Sequence, residues 1–429
     1  MNADVIIVGA GLAGLTCAKR LEEQGRSALI LEASDGVGGR VRTDEVDGFL
    51  LDRGFQVFLE AYPETQRFLD YKALDLQRFK RGAMIWTGEK FTRLGDPRKD
   101  VIGGIKAAVS DVGGLADKAK LAKLWSKLEL VKANGISSKG KHQTTLEALR
   151  DFGFSEHMIE RFMRPLFGGA MVDPELENSS ELFDFIFSMF GAGDTSLPAL
   201  GMDSVPKQLA TSLTRSDIRL DTRVARVAKG EVELDDGDVL EAEHIVVATD
   251  GPAACELIDG LETCEMRGSM TVYFSAPEPP YDENILALNG THRGPINSLT
   301  VVTNTAPAYG DGRRALVSGS VLRVVEDEEK LIAQCRAQLS RWFHGVADWE
   351  HLRTYVLHNS LPRQAPDTMP PVHKSLDMGH GVWVCGDHRD TASINGAMLS
   401  GRRVAEAIVE ASRWGFLEQP GPEEPRPRV

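Results

Sequence analysis

Cysteine is scarce in this 429-residue chain. The five, Cys17, Cys255, Cys264, Cys335 and Cys385, are odd in number and lack metal-like spacing. That excludes a disulfide framework and a cysteine-built metal centre, and it fits free thiols in a reducing compartment. Positive charge is short as well. Lys and Arg total 49 against 63 Asp and Glu, a formal net charge of −14. Such a balance argues against non-specific nucleic-acid binding and favours solubility. No apolar run approaches membrane-spanning length, and no signal-peptide pattern precedes the first strand, so a cytoplasmic protein is expected. Internal repeats, a Ser/His/Asp arrangement and a metal-ligating cluster are also missing. What remains is an ordinary composition, in a chain long enough for two closely packed domains.

The N-terminus is where the pattern becomes specific. Val5-Ile6-Ile7-Val8 reads as a short buried parallel strand and runs into Gly9-Ala10-Gly11-Leu12-Ala13-Gly14, a G-x-G-x-x-G sequence. A helical pattern follows, with Leu12, Leu15, Ala18 and Leu21 on one face, and Gly25 ends it. Ala28 to Leu31 makes a second strand that stops at Glu32. Gly9 allows the tight turn, Gly11 lets backbone approach a pyrophosphate, and Gly14 lets helix and strand pack closely. The N–H groups at the helix start, around Leu12 and Ala13, and the positive dipole end suit phosphates. Glu32, roughly twenty residues past the last glycine, is placed for ribose hydroxyls. Strand, helix and acid together supply the context that a lone glycine motif lacks.

The next stretch selects the dinucleotide. Glu32 and Ala33 lead into Gly38-Gly39-Arg40 and Thr43, then Gly48, Asp52, Gly54, Phe55 and Gln56. Gly38-Gly39 keeps backbone free of side chains, and Arg40 can reach a diphosphate with its charged fork. These residues resemble the flavin-containing amine oxidase superfamily, whose hallmark is E-x(5-6)-G-G-R-x-x-T followed by G-x(3)-D-x-G. The resemblance implies non-covalent FAD and an α/β fold: a Rossmann-like FAD-binding domain of glutathione-reductase type, with a mixed α+β substrate domain.

Two distant segments extend the resemblance. Thr222 to Val227, a hairpin, and Ala242 to Thr249 match the family's returning strand, which implies Val224 against the adenine and Ala248 and Thr249 near the diphosphate. Near the C-terminus a strand ends in Gly386-Asp387, and Ser393-Ile394-Asn395-Gly396-Ala397 opens a helix. By resemblance, Gly386-Asp387 hold the ribityl–phosphate chain. The helix start, with Ile394, Asn395 and Ala397, aims N–H groups at the flavin O2 side. Cys385 lies on the strand itself and reads as a small buried residue, not a covalent flavin attachment.

The substrate half is less marked. His388 to Asn395 contains no Tyr, Trp or Phe, and Tyr355 and Trp383, the possible remnants of an amine-binding aromatic pair, read better as strand packing. Phe162 to Gly169 resembles the "R-P-x-x-G-G" turn of protoporphyrinogen-oxidase-like and desaturase-like members, and Leu361-Pro362 suits the same branch. Thr144 to Ser188 reads as helical, broken at Pro165 and Gly168-Gly169. Phe55, Phe162, Met163, Phe167, Phe183, Phe187 and Met189 are candidates for an apolar cavity, though each alone reads as core. The lysine-rich stretch from Leu115 to His142 reads as a solvated helix with a buried stripe rather than a membrane-lying one.

The expected division is a discontinuous FAD-binding domain at 1–76, 205–250 and 378–416, a substrate domain at 77–204 and 251–377, and a disordered tail at 417–429. The chemistry would be the cofactor's, with a substrate C–H set against flavin N5 for hydride transfer. Gln56 is placed near the substrate, and His388 is the candidate general base. No second G-x-G-x-x-G is present for NADPH. An apolar small-molecule substrate is therefore expected, with oxygen or a quinone as acceptor, no nucleic acid, and peripheral membrane contact not favoured. The alternatives are an amine oxidase releasing peroxide and ammonia, or a non-oxidative flavoprotein binding a lipid-like partner.

Overall fold

The computed structural model describes residues 4–95, 112–132, 142–369 and 372–417. The tail from 418, the glycine-containing loop at 135–140 and part of the lysine-rich stretch lie outside the described residues.

Two sheets organise the molecule. The first has five parallel strands in the order Asp217–Arg219, Ala28–Leu31, Val5–Val8, His244–Val247, Val382–Val384. Its inner strands read as continuous Val, Ile and Leu because both faces are covered. Alternation decides which face each side chain serves. Val5, Ile7, Ile30 and Val246 join the core that contains the helices Leu12–Glu23 and Ile394–Leu417. Ile6, Val8, Leu29, Leu31 and Ile245 instead pack under the antiparallel meander Val224–Ala228, Glu231–Leu234, Val239–Glu241. The two helices meet closely at Gly401, where a Cβ would lie 2.1 Å from the Ala13 carbonyl oxygen.

The second sheet has seven strands, ordered Glu350–Pro362, Met266–Ala276, Ala315–Val321, Ser298–Val301, Leu286–Asn289, Ala83–Trp86, Phe91–Leu94. The strand Ser298–Val301 is short because the chain turns helical at Val302–Thr305. The helix Glu328–Trp342 covers this sheet with Leu331, Cys335, Leu339 and Trp342, a spacing that keeps them on one face.

A helical layer completes the substrate side. The expected turn at Arg164 to Gly169 is instead part of a helix, Arg164–Met171, entered from a π-helical turn at Ile159–Met163. Pro165 follows closely on this π-helical turn, where the helix changes register. Gly168 and Gly169 do not break the helix. They allow close packing: added Cβ atoms would lie 3.0 Å from the Asp173 carbonyl oxygen and 3.0 Å from the Asn297 amide nitrogen. The helix Ser180–Ala192 follows, and Leu182, Phe183, Ile186, Phe187 and Met189 form its buried stripe. In the lysine-rich helix, Leu121 and Leu124 are buried and Lys123 is exposed, as a surface helix with one buried stripe requires. No described helix is long and apolar enough to cross a membrane.

Candidate active site

The cofactor end is shaped by glycine. Gly9 adopts φ +107°, and a Cβ there would sit 3.0 Å from the Ala248 carbonyl oxygen, so turn and returning strand touch through backbone. Gly14 is tighter still, with a Cβ position only 2.1 Å from the Gly9 carbonyl oxygen. Gly11, the N-cap, behaves differently. A Cβ there would meet nothing within 4 Å, and no side chain caps the helix start at Leu12, Ala13 and Gly14. Uncapped N–H groups facing open space are what a diphosphate needs. Glu32 closes this end. Its carboxylate accepts from the Ala10 N–H at 2.8 Å and from the Ser34 N–H and hydroxyl at 2.9 and 2.7 Å. Ala33 beside it is exposed. The glycine cradle and the acid therefore fit a dinucleotide.

The Gly38-Gly39-Arg40 loop runs beside this cradle. Both glycines take positive φ, and the Gly38 N–H donates to the Ala10 carbonyl at 2.9 Å. Arg40 is not a free arm for a diphosphate. Its guanidinium donates to Asp387 Oδ1 at 2.7 Å and to the Ser360 carbonyl at 2.8 Å. Two residues expected on different parts of the cofactor thus hold each other. Burial works against the Arg40 charge, but Asp387 outweighs it and raises the pKa. Gln56 Nε2 donates to the Arg40 carbonyl at 2.9 Å, which fixes the amide and leaves its oxygen without a protein partner among the described residues. Gly54 takes φ +95° against Leu357, and the Phe55 N–H donates to Thr271 at 3.0 Å.

Val224 is buried at the start of the meander, beside a bulge. Ala248 and Thr249 end the strand next to Gly9, as just described. On the C-terminal strand Cys385 is fully buried, and burial pushes its thiol up to about 12. It is a neutral core thiol. Gly386 takes φ +150°, and a Cβ there would lie 2.5 Å from the His388 ring. His388 itself is 5% exposed, and neither ring nitrogen has a partner among the described residues. Burial pulls its pKa down to about 4. A general base needs access to its proton and a pKa near the working pH. This imidazole has neither, which argues against the role expected for it. In the first turn of the helix Ile394–Leu417, Asn395 is buried and accepts from the Glu64 N–H at 3.0 Å. Ile394 and Ala397, three apart, are the half-exposed positions among buried neighbours.

The substrate wall corrects the sequence reading in detail. Phe162, Met163, Phe167, Phe183, Phe187 and Met189 are all buried and serve as core. Half-buried apolar side chains lie elsewhere. Val57, Phe185, Phe190 and Ile394 pack on one cluster with buried Tyr62, and Phe55 is half-buried beside them in sequence. Phe185 stacks on Tyr62 at 5.9 Å with an 11° interplanar angle. The signal for Phe185 and Phe190 was present: both fall off the buried stripe of their helix. Tyr355 and Trp383 are committed elsewhere. The Tyr355 hydroxyl donates to Asp44 at 2.8 Å, and Trp383 Nε1 donates to His244 at 3.3 Å.

Sequence reasoning also missed Gln364 and Asp390. Asp390 is 1% exposed, 2.6 Å from His373 and 3.4 Å from Arg403. Gln364 binds the backbone on both sides of Thr391, through the Asp390 carbonyl and the Ala392 N–H. Neither residue stands in a motif, so nothing local marks them.

Residues 12–409 match the family model described as flavin containing amine oxidoreductase. The chain belongs to the flavin-containing amine oxidoreductase family. Putrescine oxidase of Kocuria rosea is 38% identical over 94 residues, 22% of this chain and 20% of that protein. Protoporphyrinogen oxidase 2 of Arabidopsis thaliana is 24% identical over 257 residues, 51% and 49% of the two chains. The 15-cis-phytoene desaturase of an Oncidium hybrid is 36% identical over 85 residues, 19% and 15%. The chain thus spans at most about half the length of these curated relatives. Among solved structures, a putative protoporphyrinogen oxidase from Exiguobacterium sp. superposes with TM-score 0.68 at 18% identity, covering 95% and 98% of the two chains. Putrescine oxidase bound to putrescine gives 0.72 at 17%, covering 96% and 99%. At these identities the likeness is one of fold.

By this membership the chain is related to flavin-containing oxidoreductases. Its architecture is the α/β, Rossmann-like FAD fold with a mixed α+β substrate region. The cradle at Gly11, the Glu32 carboxylate and the glycine loop are where this chain's residues fit FAD.

Proposed function

We propose that the protein removes two electrons from an apolar small molecule, in the manner of the protoporphyrinogen-oxidase and phytoene-desaturase branch of its family, and passes them to oxygen or a quinone. The observation that carries this reading is the packing of half-buried Val57, Phe185, Phe190 and Ile394 around buried Tyr62, with Phe185 stacked on Tyr62, which gathers an apolar, aromatic surface beside the start of the helix Ile394–Leu417. FAD bound in the cradle supplies the two-electron acceptor. Gly9, Gly11, Gly14, Glu32 and the Gly38-Gly39 backbone would hold it, and buried Cys385 offers no thiol for covalent attachment. The stretches 1–76, 205–250 and 378–416 form this cofactor domain. Ile394 and Ala397, the half-buried positions of the first turn, would present the start of their helix to the bound flavin. The aromatic wall orients the substrate and excludes water, and Gln56, steadied by the Arg40 carbonyl, meets it at the rim. No protein base is assigned.

Oxidation of an amine is the competing reading, and putrescine oxidase is among the relatives. Against it, Tyr355 and Trp383 are spent on Asp44 and His244 and do not form a cage. Anaerobic mixing separates the readings, with flavin absorbance followed near ~450 nm because the cofactor itself reports the redox step. Bleaching by reduced tetrapyrroles or polyenes, and not by amines, is expected. Bleaching by amines alone would transfer the protein to the amine oxidases.

A further inference from the structure

We propose that Gln364 is a positioning residue for the cofactor: its amide ties the start of the helix Ile394–Leu417 to the first turn of the aromatic helix Ser180–Ala192. The proposal rests on the reading above, in which that helix start faces the flavin ring.

Gln364 is 6% exposed and uses every polar group it has. Its backbone N–H donates to Asn178 Oδ1 at 2.9 Å, and its carbonyl accepts from the Ser179 N–H at 2.7 Å. Ser179 is the N-cap of the aromatic helix. On the other side, Nε2 donates to the Asp390 carbonyl and Oε1 accepts from the Ala392 N–H at 2.8 Å. The amide orientation is fixed by chemistry: one partner can only accept and the other can only donate. The side chain thus imitates a neighbouring strand across Thr391, three residues ahead of the helix that begins at Ile394.

That placement matters because the positive end of a helix dipole acts over a short range, within the first turn. Negative charge gathers on the O2 side of a flavin when it accepts electrons, and oriented N–H groups there favour the charged form. Releasing residues 390–392 leaves two buried backbone groups unpaired and lets the helix start withdraw. The loss should appear in the potential of bound FAD, beyond any loss of stability.

The test is the two-electron midpoint potential of FAD in purified holoprotein, with melting temperature and FAD affinity measured alongside. Q364M keeps the volume of the side chain and removes both hydrogen bonds. Its reduction equilibrium is expected to fall about tenfold, close to 30 mV for a two-electron couple, with FAD still bound. L331A empties a buried site in the other sheet's core and serves as the control: it should lower the melting temperature without moving the potential. A397D puts a negative charge at the helix start and should lower the potential wherever that start faces the ring. A shift in Q364M and A397D but not L331A supports the proposal. An unmoved Q364M beside a shifted A397D overturns the role of Gln364 alone. If neither moves, the placement of the helix against the flavin falls, and this proposal with it. Should Q364M fail to fold, Q364N keeps the amide one methylene too short to span both partners, and its potential is read in the same way.

Discussion

The cofactor side and the substrate side of this molecule are specified by different parts of the residue. Around the cofactor, the decisive positions are glycines whose missing Cβ atoms would strike backbone: 2.1 Å at Gly14 and 3.0 Å at Gly9. In the core of the substrate side, the decisive positions are large side chains packed on one another, such as Phe167 on Phe183 at 4.8 Å and on Phe187 at 5.5 Å. Backbone contacts cannot yield by a change of rotamer, whereas packed side chains can adjust to a new neighbour. A substrate pocket can therefore diverge while its cofactor site stays recognisable.

The largest effect is expected at the backbone contact. Gly14→Val should weaken FAD binding on the order of 100-fold or prevent holoprotein formation, since its Cβ meets a carbonyl that cannot move. Flavin fluorescence titration measures this, and near-normal affinity would break the contrast. On the other side, Phe187→Ala should cost about 3–5 kcal/mol of stability while FAD affinity changes less than about twofold. Denaturant unfolding paired with the same titration checks both halves of that statement.

Two buried groups give opposite pH slopes. Burial raises Asp52 to about 6, despite its hydrogen bonds from Thr43, Met202 and Tyr309. The folded state then holds a proton that the unfolded state releases, so Asp52 makes stability fall as pH rises from about 4 to 6. His388 has its pKa lowered to about 4, so the unfolded state holds the extra proton and stability rises from about pH 4 to 6.5. The two contributions oppose each other. Relative to the native protein, D52N should tilt the stability curve upward with pH and H388N downward, each by on the order of 2–3 kcal/mol across the window. Parallel curves for both variants would refute the assignment. The smallest effect belongs to Trp383→Phe. It should cost about 1 kcal/mol through the lost His244 bond and leave the KM of any substrate unchanged. A raised KM would return Trp383 to the substrate site.

This contrast explains what could be read in advance. Gly9, Gly11, Gly14 and Glu32 are legible because backbone approach to a phosphate demands particular residues at fixed spacing. Phe183 and Phe187 are legible only as apolar, and helical periodicity assigns them to the core without saying which neighbour opens onto a cavity. The pairing of Arg40 with Asp387 is hidden because it joins segments at opposite ends of the sequence. Gln364 is hidden because its side chain binds backbone groups, which carry no sequence signature. The helix Arg164–Met171 is hard to read because proline and glycine usually break helices, whereas here Pro165 follows a π-helical turn and Gly168 and Gly169 serve close packing.

The five-stranded sheet has a consequence for biosynthesis. Val5–Val8 sits between strands from residues 28–31 and 244–247, and the edge beyond waits for Val382–Val384, near the end of the chain. At about 5–20 residues per second, the N-terminal strands spend on the order of tens of seconds on the ribosome before that edge can close. The glycine cradle is thus translated long before the strand that completes its sheet. Deleting the final strand and helix should strand the nascent chain with an open, aggregation-prone sheet, however sound the rest of the sequence.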